Sequence, residues 1–345
     1  MKVGLIGCGR IAKLVHLPLL LDLPGAHVVA LAEPDGDRRQ AALRLAPGAV
    51  AYADYRELLD SGLAEAVVIT LPNDLHAEAA CAALARDQHV YLEKPAAVSA
   101  AEARVVVDAW RASNRVGMLG FNYRFHPTIL ALRRRIREGS VGTLLCTRTV
   151  FTIREPERPA WKRTRAVGGG VLLDLGSHHI DLVRFLFERE IEDVQCWIHA
   201  VRSEGDTAFL QLRMQENLFV QSFFALGSVE ENSMQVYGEE GRLAADWNLS
   251  PFVDSVPATH ARGRLRRLWG SARPLLHRPP LIDRFASPLY QASYRTALTH
   301  FLACVENGRQ ARPDMVDGLR CLEIIEAAEA SNRAGHPVGT VESGS

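Results

Sequence analysis

The stretch Val3-Gly4-Leu5-Ile6-Gly7-Cys8-Gly9-Arg10-Ile11-Ala12 decides how the N-terminal part of this chain folds. It opens with a short apolar run, as a buried strand does, and two glycines follow at once. A Gly-x-Gly turn between a strand and a helix is typical of a dinucleotide site, because the first amides of the helix point at the pyrophosphate. We therefore predict that Gly7, Gly9, Arg10 and Ile11 bind a dinucleotide cofactor.

Short apolar runs alternate with amphipathic runs over the next 110 residues or so, which predicts a parallel sheet covered by helices. The predicted strands are Lys2 to Ile6, His27 to Ala32, Ala66 to Thr70, His89 to Leu92 and Val116 to Leu119. The predicted helices are Ile11 to Leu21, Asp35 to Leu45, Leu75 to Ala85 and Ala100 to Ala112. Such a doubly wound Rossmann sheet binds its ligand at the carboxyl ends of the strands.

Glu33 ends the second predicted strand and bears on the choice of cofactor. An acid at this position hydrogen-bonds to the adenosine ribose and repels a 2'-phosphate, so it favours NAD. Arg38 and Arg39 follow closely, and an arginine is a suitable receptor for a phosphate. NAD is the predicted cofactor, and NADP is the alternative.

Three further motifs follow the glycine turn: Glu93-Lys94-Pro95, Gly120-Phe121-Asn122-Tyr123-Arg124, and the run from Gly168 to Asp181. In the last motif Asp174 and His178 are four residues apart, on one face of a helix that starts there. A histidine titrates near working pH and suits a group that accepts the proton of an alcohol losing hydride. Lys94 ends a strand, where its ammonium can stabilise charge on the reacting oxygen.

The pair His178-His179 with Asp174 and Asp181 is also competent to bind zinc or iron. Adjacent residues on a helix point about 100° apart, so the two imidazoles do not easily share one ion. We therefore expect no metal site. His179 is expected to be a packed or interface residue.

Taken in this order, the motifs resemble the Gfo/Idh/MocA family, named after glucose-fructose oxidoreductase, inositol dehydrogenase and the rhizopine catabolism oxidoreductases. The resemblance runs from Met1 to about Gly335. It rests on the glycine turn and on Thr70-Leu71-Pro72-Asn73, His76, Glu93-Lys94-Pro95, Asn122, Arg124, Asp174 and His178. It implies an NAD(P)-dependent oxidoreductase that moves a hydride between nicotinamide and a hydroxyl or carbonyl carbon of a sugar, cyclitol or sugar derivative.

The resemblance also implies roles for single residues. It implies catalysis by Lys94, Asp174 and His178. The implied cofactor site adds these residues to the glycine turn: Glu33, Thr70, Leu71, Pro72, Asn73, His76, Glu93, Lys94, Asn122 and Trp161. The implied substrate contacts are Lys94, Asn122, Arg124, Asp174 and His178. Two alternatives remain: Arg124 in a structural salt bridge, and Trp161 as a core residue beside Lys162.

The resemblance divides the chain into a Rossmann domain, residues 1–122, and an α+β domain, residues 123–345, whose closing helices at 290–335 pack back. The second domain is expected to hold a large, mostly antiparallel open sheet. The residue pattern independently predicts its strands as Thr143 to Ile153, Ile191 to Val201, Ala208 to Met214, Leu218 to Ala225, Ser233 to Tyr237 and Arg242 to Trp247. An open antiparallel sheet has a face to cover, so a homodimer or homotetramer is expected.

Composition limits the possible partners. The 345 residues include 40 Lys and Arg and 40 Asp and Glu, so the chain offers no net field to nucleic acid. No apolar run approaches the length that inserts into a membrane. Six scattered cysteines indicate reduced thiols in a cytoplasmic protein.

Two functional alternatives stay open at this point. A non-catalytic sensor of the same fold would bind the dinucleotide and regulate a partner, and an enzyme of oxidation-assisted elimination would use the same bound cofactor. Arginines accumulate over residues 262–278. That stretch is expected to be a solvated insertion, an acidic-partner surface or a reader of an anionic substrate group.

Overall fold

The computed structural model describes residues 1–154, 160–258 and 291–340. These residues form two compact units. The first unit consists of Met1–Asn122, Ala166–Gly168 and Gln291–Leu322, and the second consists of the described residues within 123–165, 169–258 and 323–340. The arginine-rich stretch 262–278 and the side chain of Trp161 lie outside the described part, so the predictions made for them stay predictions.

The first unit contains a parallel sheet of six strands. These are β1 Lys2–Ile6, β2 His27–Ala32, β3 Val50–Tyr52, β4 Ala66–Ile69, β5 His89–Leu92 and β6 Gly117–Leu119. Their order in the sheet is β3-β2-β1-β4-β5-β6. All four residues of β4 are buried, because a central parallel strand is covered by helices on both faces. The predicted doubly wound Rossmann sheet is confirmed.

Helices follow most strands of this sheet. They are α1 Leu17–Asp22, α2 Gly36–Leu45, α3 Tyr55–Asp60, α4 His76–Leu84 and α5 Ala100–Ser113. A π-helical segment, Ala12–His16, leads directly into α1. Side chains cap three of these helices: Asp35 accepts from the amide of Arg38 at α2, Asp54 from the amide of Arg56 at α3, and Ser99 from the amide of Glu102 at α5.

The second unit contains an eight-stranded sheet. Its strands are β7 Leu144–Ile153, β8 Ile191–His199, β9 Thr207–Met214, β10 Leu218–Leu226, β11 Glu231–Gly238, β12 Gly241–Asp246, β13 Val253–Pro257 and β14 Val338–Gly339. The order is β13-β12-β11-β7-β10-β9-β8-β14, and only β7 and β10 pair in parallel. Buried and less buried residues alternate along β9, as in a sheet with one covered face. The predicted mostly antiparallel open sheet is confirmed.

Four further helices complete the described chain: α6 Pro127–Arg137, α7 Ser177–Phe187, α8 Gln291–Glu306 and α9 Met315–Ala334. A second π-helical segment, Leu172–Gly176, leads into α7. None of the helices in the described ranges is long and apolar enough to cross a membrane.

The closing helices are divided between the two units, whereas the prediction placed all of residues 290–335 in the second domain. Helix α8 and the start of α9 belong to the first unit. The reason is aromatic packing: Tyr294 meets His16 edge-on at 5.4 Å, and Phe301 meets Tyr91 at 5.8 Å. Helix α8 therefore buries its apolar face on the Rossmann unit.

Candidate functional site

The glycine turn after β1 is closed on one side and open on the other. Gly7 has φ +87°, and a Cβ there would lie 2.9 Å from the Thr70 carbonyl oxygen, so the position requires glycine. The Thr70 hydroxyl donates to the Gly7 carbonyl at 2.7 Å and holds the turn. At Gly9 a Cβ would meet none of the described atoms within 4 Å. Open space thus lies beside Gly9.

The helix after this turn starts immediately, since the Lys13 amide donates to the Gly9 carbonyl at 3.0 Å. Exposed Arg10 and half-buried Ile11 occupy its first positions. The first amides of a helix lack partners within the helix and attract an anion. The open space at Gly9 together with this helix start therefore fits the pyrophosphate of NAD.

Glu33 lies just after β2 and is 4% exposed. Its carboxylate accepts from the Cys8 amide at 2.8 Å and from the Asp35 amide at 3.1 Å. The Arg38 Nε atom lies 3.4 Å from the same carboxylate, and Arg39 donates to the Glu33 carbonyl at 2.6 Å. Burial, and then the charge of Glu33, raise the pKa of the Cys8 thiol to about 12. Glu33 is thus a buried acid that braces the glycine turn.

The segment after β4 is tied to the rest of the first unit. Asn73 donates through Nδ2 to the Gly168 carbonyl at 2.8 Å. His76 is 1% exposed, with Nδ1 2.6 Å from the Pro95 carbonyl and Nε2 2.9 Å from the Leu71 carbonyl. Burial lowers the pKa of His76, and the carbonyl contacts oppose that shift. From its buried position His76 therefore connects the loop after β4 with the loop after β5. Leu71 and Pro72 are half-buried and lie nearer the surface.

Glu93 and His16 form a buried pair that the sequence analysis missed. The His16 Nε2 atom lies 2.7 Å from Glu93 Oε1, and Glu93 Oε2 accepts from the Lys94 amide at 3.2 Å. A Cβ at Gly120 would lie 3.0 Å from this carboxyl group, which explains the glycine that opens its motif. Glu93 is therefore bonded to the backbone that presents the half-buried Lys94.

Asn122, predicted to contact the cofactor and the substrate, lies in the core of the first unit. Its side chain is fully buried, and Nδ2 donates to the Ser293 hydroxyl on α8 at 2.9 Å. The reason is again α8, whose packing on the first unit covers this position. The amide nitrogen is thus engaged by Ser293, and the contact of Asn122 with cofactor and substrate stays a prediction.

In the second unit, Asp174 lies inside the π-helical segment Leu172–Gly176. Inserted π turns occur often at functional sites, where they re-aim side chains. The Lys162 ammonium lies 3.0 Å from Asp174 Oδ1, and the two side chains are 32% and 18% exposed. The acid thus has a cationic partner and still reaches solvent.

His178 follows in the first turn of α7 and is 8% exposed. Its ring stacks on Tyr123 with centroids 4.4 Å apart and planes at 28°. His179 is buried in another environment: its Nε2 atom lies 2.9 Å from Asn232 Oδ1, and its ring stacks on Phe151 at 5.4 Å. Burial lowers the pKa of His179 to about 4. His179 is a packed residue, as predicted.

No group of three or more His, Cys, Asp or Glu side chains in the described ranges is arranged to hold a metal ion. The two neighbouring histidines have separate partners, Tyr123 for His178 and Asn232 for His179.

Arg124 is engaged in an ion pair, which was the alternative to its predicted role as a substrate contact. Its Nε donates to Asp181 Oδ2 at 2.9 Å and its Nη2 to Asp181 Oδ1 at 2.5 Å. The side chains are 9% and 1% exposed. Because the donor fork already binds a carboxylate, the structure gives Arg124 a place in the packing of α7.

The predicted site residues thus form two groups. The first unit holds the glycine turn with Glu33, Thr70, Leu71, Pro72, Asn73, His76, Glu93 and Lys94. The second unit holds Asp174 and His178, with Lys162 and Tyr123 in contact with them.

Comparison with known proteins identifies the family. Residues 1–121 match the model of the oxidoreductase family with an NAD-binding Rossmann fold, and residues 129–244 match that of the Gfo/Idh/MocA C-terminal domain. Inositol 2-dehydrogenase of Rhizobium meliloti (strain 1021) is 27% identical in an alignment of 343 positions that covers 96% of this chain and 96% of that one.

Solved structures share the fold over the full length. The WlbA dehydrogenase of Bordetella pertussis, in complex with NADH and UDP-GlcNAcA, superposes with a TM-score of 0.83 at 20% identity, covering 99% of this chain and 98% of that one. A levoglucosan dehydrogenase in complex with NADH and levoglucosan gives 0.83 at 23% identity, covering 99% and 100%. The chain belongs to the Gfo/Idh/MocA family of NAD-binding oxidoreductases.

Proposed function

We propose that this protein is a dehydrogenase or reductase that interconverts a hydroxyl and a carbonyl group on a sugar, cyclitol or sugar derivative with NAD. The observation that carries the proposal is the placement of Asp174 and His178 on consecutive turns at the start of one helix, with Lys162 at Asp174. Relatives named for inositol and levoglucosan act on rings that bear several hydroxyl groups. These names support the substrate class.

In this proposal the bound nicotinamide supplies the hydride acceptor or donor. His178 accepts the hydroxyl proton during oxidation and returns it during reduction. The Lys94 ammonium stabilises negative charge as it develops on the reacting oxygen. Asp174, one turn before His178, orients that imidazole and holds the Lys162 cation.

The rival function is a non-catalytic regulator that binds dinucleotide and acts through a partner. The simultaneous presence of Lys94, Asp174 and His178 favours the enzyme, because a sensor needs none of the three. The test is to incubate the purified protein with NAD or NADP and a panel of sugars, cyclitols and nucleotide sugars, and to follow the absorbance of reduced nicotinamide. Tight dinucleotide binding without turnover of any panel member would favour the regulator.

All six cysteines lie in the described residues, and all six are free thiols. Free thiols are typical of the reducing cytoplasm, where we place the protein.

We expect tighter binding of NAD than of NADP, because a 2'-phosphate beside the buried Glu33 carboxylate meets like charge. The cost is about 1–4 kcal/mol at close range, depending on the local dielectric. Glu33→Gln should reduce the difference in affinity between NAD and NADP. The control Asp37→Asn, which removes a nearby exposed acid, should leave that difference unchanged. Fluorescence titration with both cofactors measures the preference. Equal or tighter binding of NADP by the unmodified protein would contradict the prediction and assign the phosphate to Arg38.

We further propose that the protein is a homo-oligomer assembled through the open face of the eight-stranded sheet. Trp197, Phe209 and Phe219 are 49%, 38% and 52% exposed on this face. Trp197 lies directly opposite Phe209 on the neighbouring strand, with ring centroids 6.2 Å apart. An exposed aromatic pair on an open sheet face supports an association surface there.

A charge in this patch should separate the subunits. We expect Trp197→Asp to sediment as a monomer at micromolar concentration, since association would then bury an unpaired carboxylate. Leu249→Asp is the matched control, because Leu249 is 70% exposed and lies outside the strands. A monomeric unmodified protein, or a Trp197→Asp variant that still associates, would refute assembly through this face.

A further inference from the structure

We infer that Tyr123 is a positioning residue for His178: its ring is the platform on which the imidazole is held, and Asn232 and His179 fix that ring. The inference deepens the proposed function and rests on it, because it takes His178 as the proton acceptor. Tyr123 belongs to the motif Gly120–Arg124 but is not among the predicted site residues.

The platform is a direct ring contact inside the second unit. Tyr123 and His178 are 6% and 8% exposed, and their stacked rings lie 4.4 Å apart. Phe151 flanks both, with its centroid 6.1 Å from each of the two rings. An imidazole packed in this way has few orientations open to it.

The hydroxyl end of Tyr123 is fixed by two buried polar groups. Asn232, which is fully buried, donates through Nδ2 to the Tyr123 hydroxyl oxygen at 3.2 Å. Its Oδ1 atom accepts from His179 Nε2 at 2.9 Å. Because the pKa of His179 is about 4, this histidine stays neutral at working pH and keeps its single ring proton for the bond to Asn232. The network therefore does not change with pH in the working range.

The next residue, Arg124, also binds α7. Arg124 binds Asp181, which lies three residues after His178 on α7. The dipeptide Tyr123-Arg124 thus contacts α7 at two successive points, one at the imidazole and one at the carboxylate. This contact keeps the ring of Tyr123 in register with the helix that carries His178.

An aromatic face also favours the protonated imidazole, because the ring quadrupole attracts a cation. Asp174 lies four residues before His178 and Asp181 three residues after it, and each has a cationic partner, Lys162 and Arg124 respectively. The neutral His179 adds no charge. Tyr123 is therefore placed both to orient His178 and to stabilise it after proton transfer.

The experiment compares Tyr123→Leu, Tyr123→Met and Tyr123→Phe with the control Tyr237→Leu, which removes a tyrosine of β11 that hydrogen-bonds to Gln235. The readouts are turnover, NAD affinity and the titration of the His178 ring by NMR of histidine-labelled full-length protein, assigned with His178→Ala. Tyr123→Leu and Tyr123→Met remove the aromatic face, which should lower the titration midpoint of His178 by about half to one pH unit. Turnover should fall about tenfold with unchanged NAD affinity, and Phe should restore the midpoint.

Three results would overturn the inference. One is a titration midpoint of His178 that is unchanged in both Tyr123→Leu and Tyr123→Met. Another is a Tyr123→Phe variant whose midpoint and turnover equal those of Tyr123→Leu. The third is a further tenfold loss when Tyr123→Leu is added to His178→Ala, because a residue that acts through His178 has no effect once His178 is gone. The proposed role of His178 as proton acceptor is tested separately: full activity of His178→Ala would contradict it. In that case the NMR titration still tests whether Tyr123 positions the His178 ring.

Discussion

Replacing His178 by alanine is expected to lower turnover by at least about 100-fold, and replacing Lys94 by alanine to do the same, while NAD affinity changes little. In the proposed mechanism both side chains act on the oxygen that gains or loses a proton, where charge develops in the transition state. The measurements are steady-state turnover on the substrate found by the screen and dinucleotide titration of each variant.

Matched controls separate this effect from general damage. His27→Ala and Lys2→Ala remove exposed residues of the same types from strands of the Rossmann sheet, and both should keep full activity. The double variant of His178 and Lys94 should be little worse than the worse single variant, because residues that act as a unit are not additive. Full activity of His178→Ala would exclude it as the proton acceptor and leave Lys94, or a water held by Asp174, for that role.

Asp174→Asn should cost less than the loss of His178, because it removes charge and orientation but no proton acceptor. The ion pair with Lys162 adds a second reason for some loss: the ammonium in Asp174→Asn no longer has its carboxylate partner. Lys162→Ala should therefore resemble Asp174→Asn in turnover, and a much larger loss in Lys162→Ala would show that the lysine acts on its own.

Local sequence predicted the fold well wherever an element has a long run of residues or a motif of fixed spacing. The run from β1 into the glycine turn is one case, because Gly7 is required by the carbonyl of Thr70 and the requirement is visible as a motif. The missed elements are mostly short: β3 has three residues and β14 two. Helix α6 was missed although Ile129, Leu132 and Ile136 keep the spacing of one helix face, because four arginines make its second half look polar.

The candidate site could be predicted by residue type but not by partner. Motif spacing placed Asp174 and His178 on consecutive turns of one helix. The pairs His16–Glu93 and Arg124–Asp181 join residues 77 and 57 positions apart, so no local pattern reveals them. The burial of Asn122 depends on α8, which comes from the far end of the chain. Partner choice of this kind is a property of tertiary packing.

The second large effect concerns stability and decides between the two roles of Arg124. We expect Arg124→Leu to lower the free energy of unfolding by about 3–5 kcal/mol, because it leaves the Asp181 carboxylate buried without its cation. Asp181→Leu should be similarly damaging, since it removes the carboxylate that the buried guanidinium binds. Denaturant unfolding of each variant measures the change.

Joining the two substitutions distinguishes an ion pair from a substrate contact. The Arg124→Leu and Asp181→Leu double variant should be more stable than either single variant, because no uncompensated charge stays buried and apolar groups of similar volume replace the pair. It should also keep the Michaelis constant for substrate near that of the unmodified protein, since neither side chain contacts substrate in this reading. A substrate contact gives the opposite result: Arg124→Leu alone then raises the Michaelis constant steeply and leaves the unfolding curve unmoved. The bidentate geometry of Arg124 on a carboxylate that is 1% exposed favours the first result.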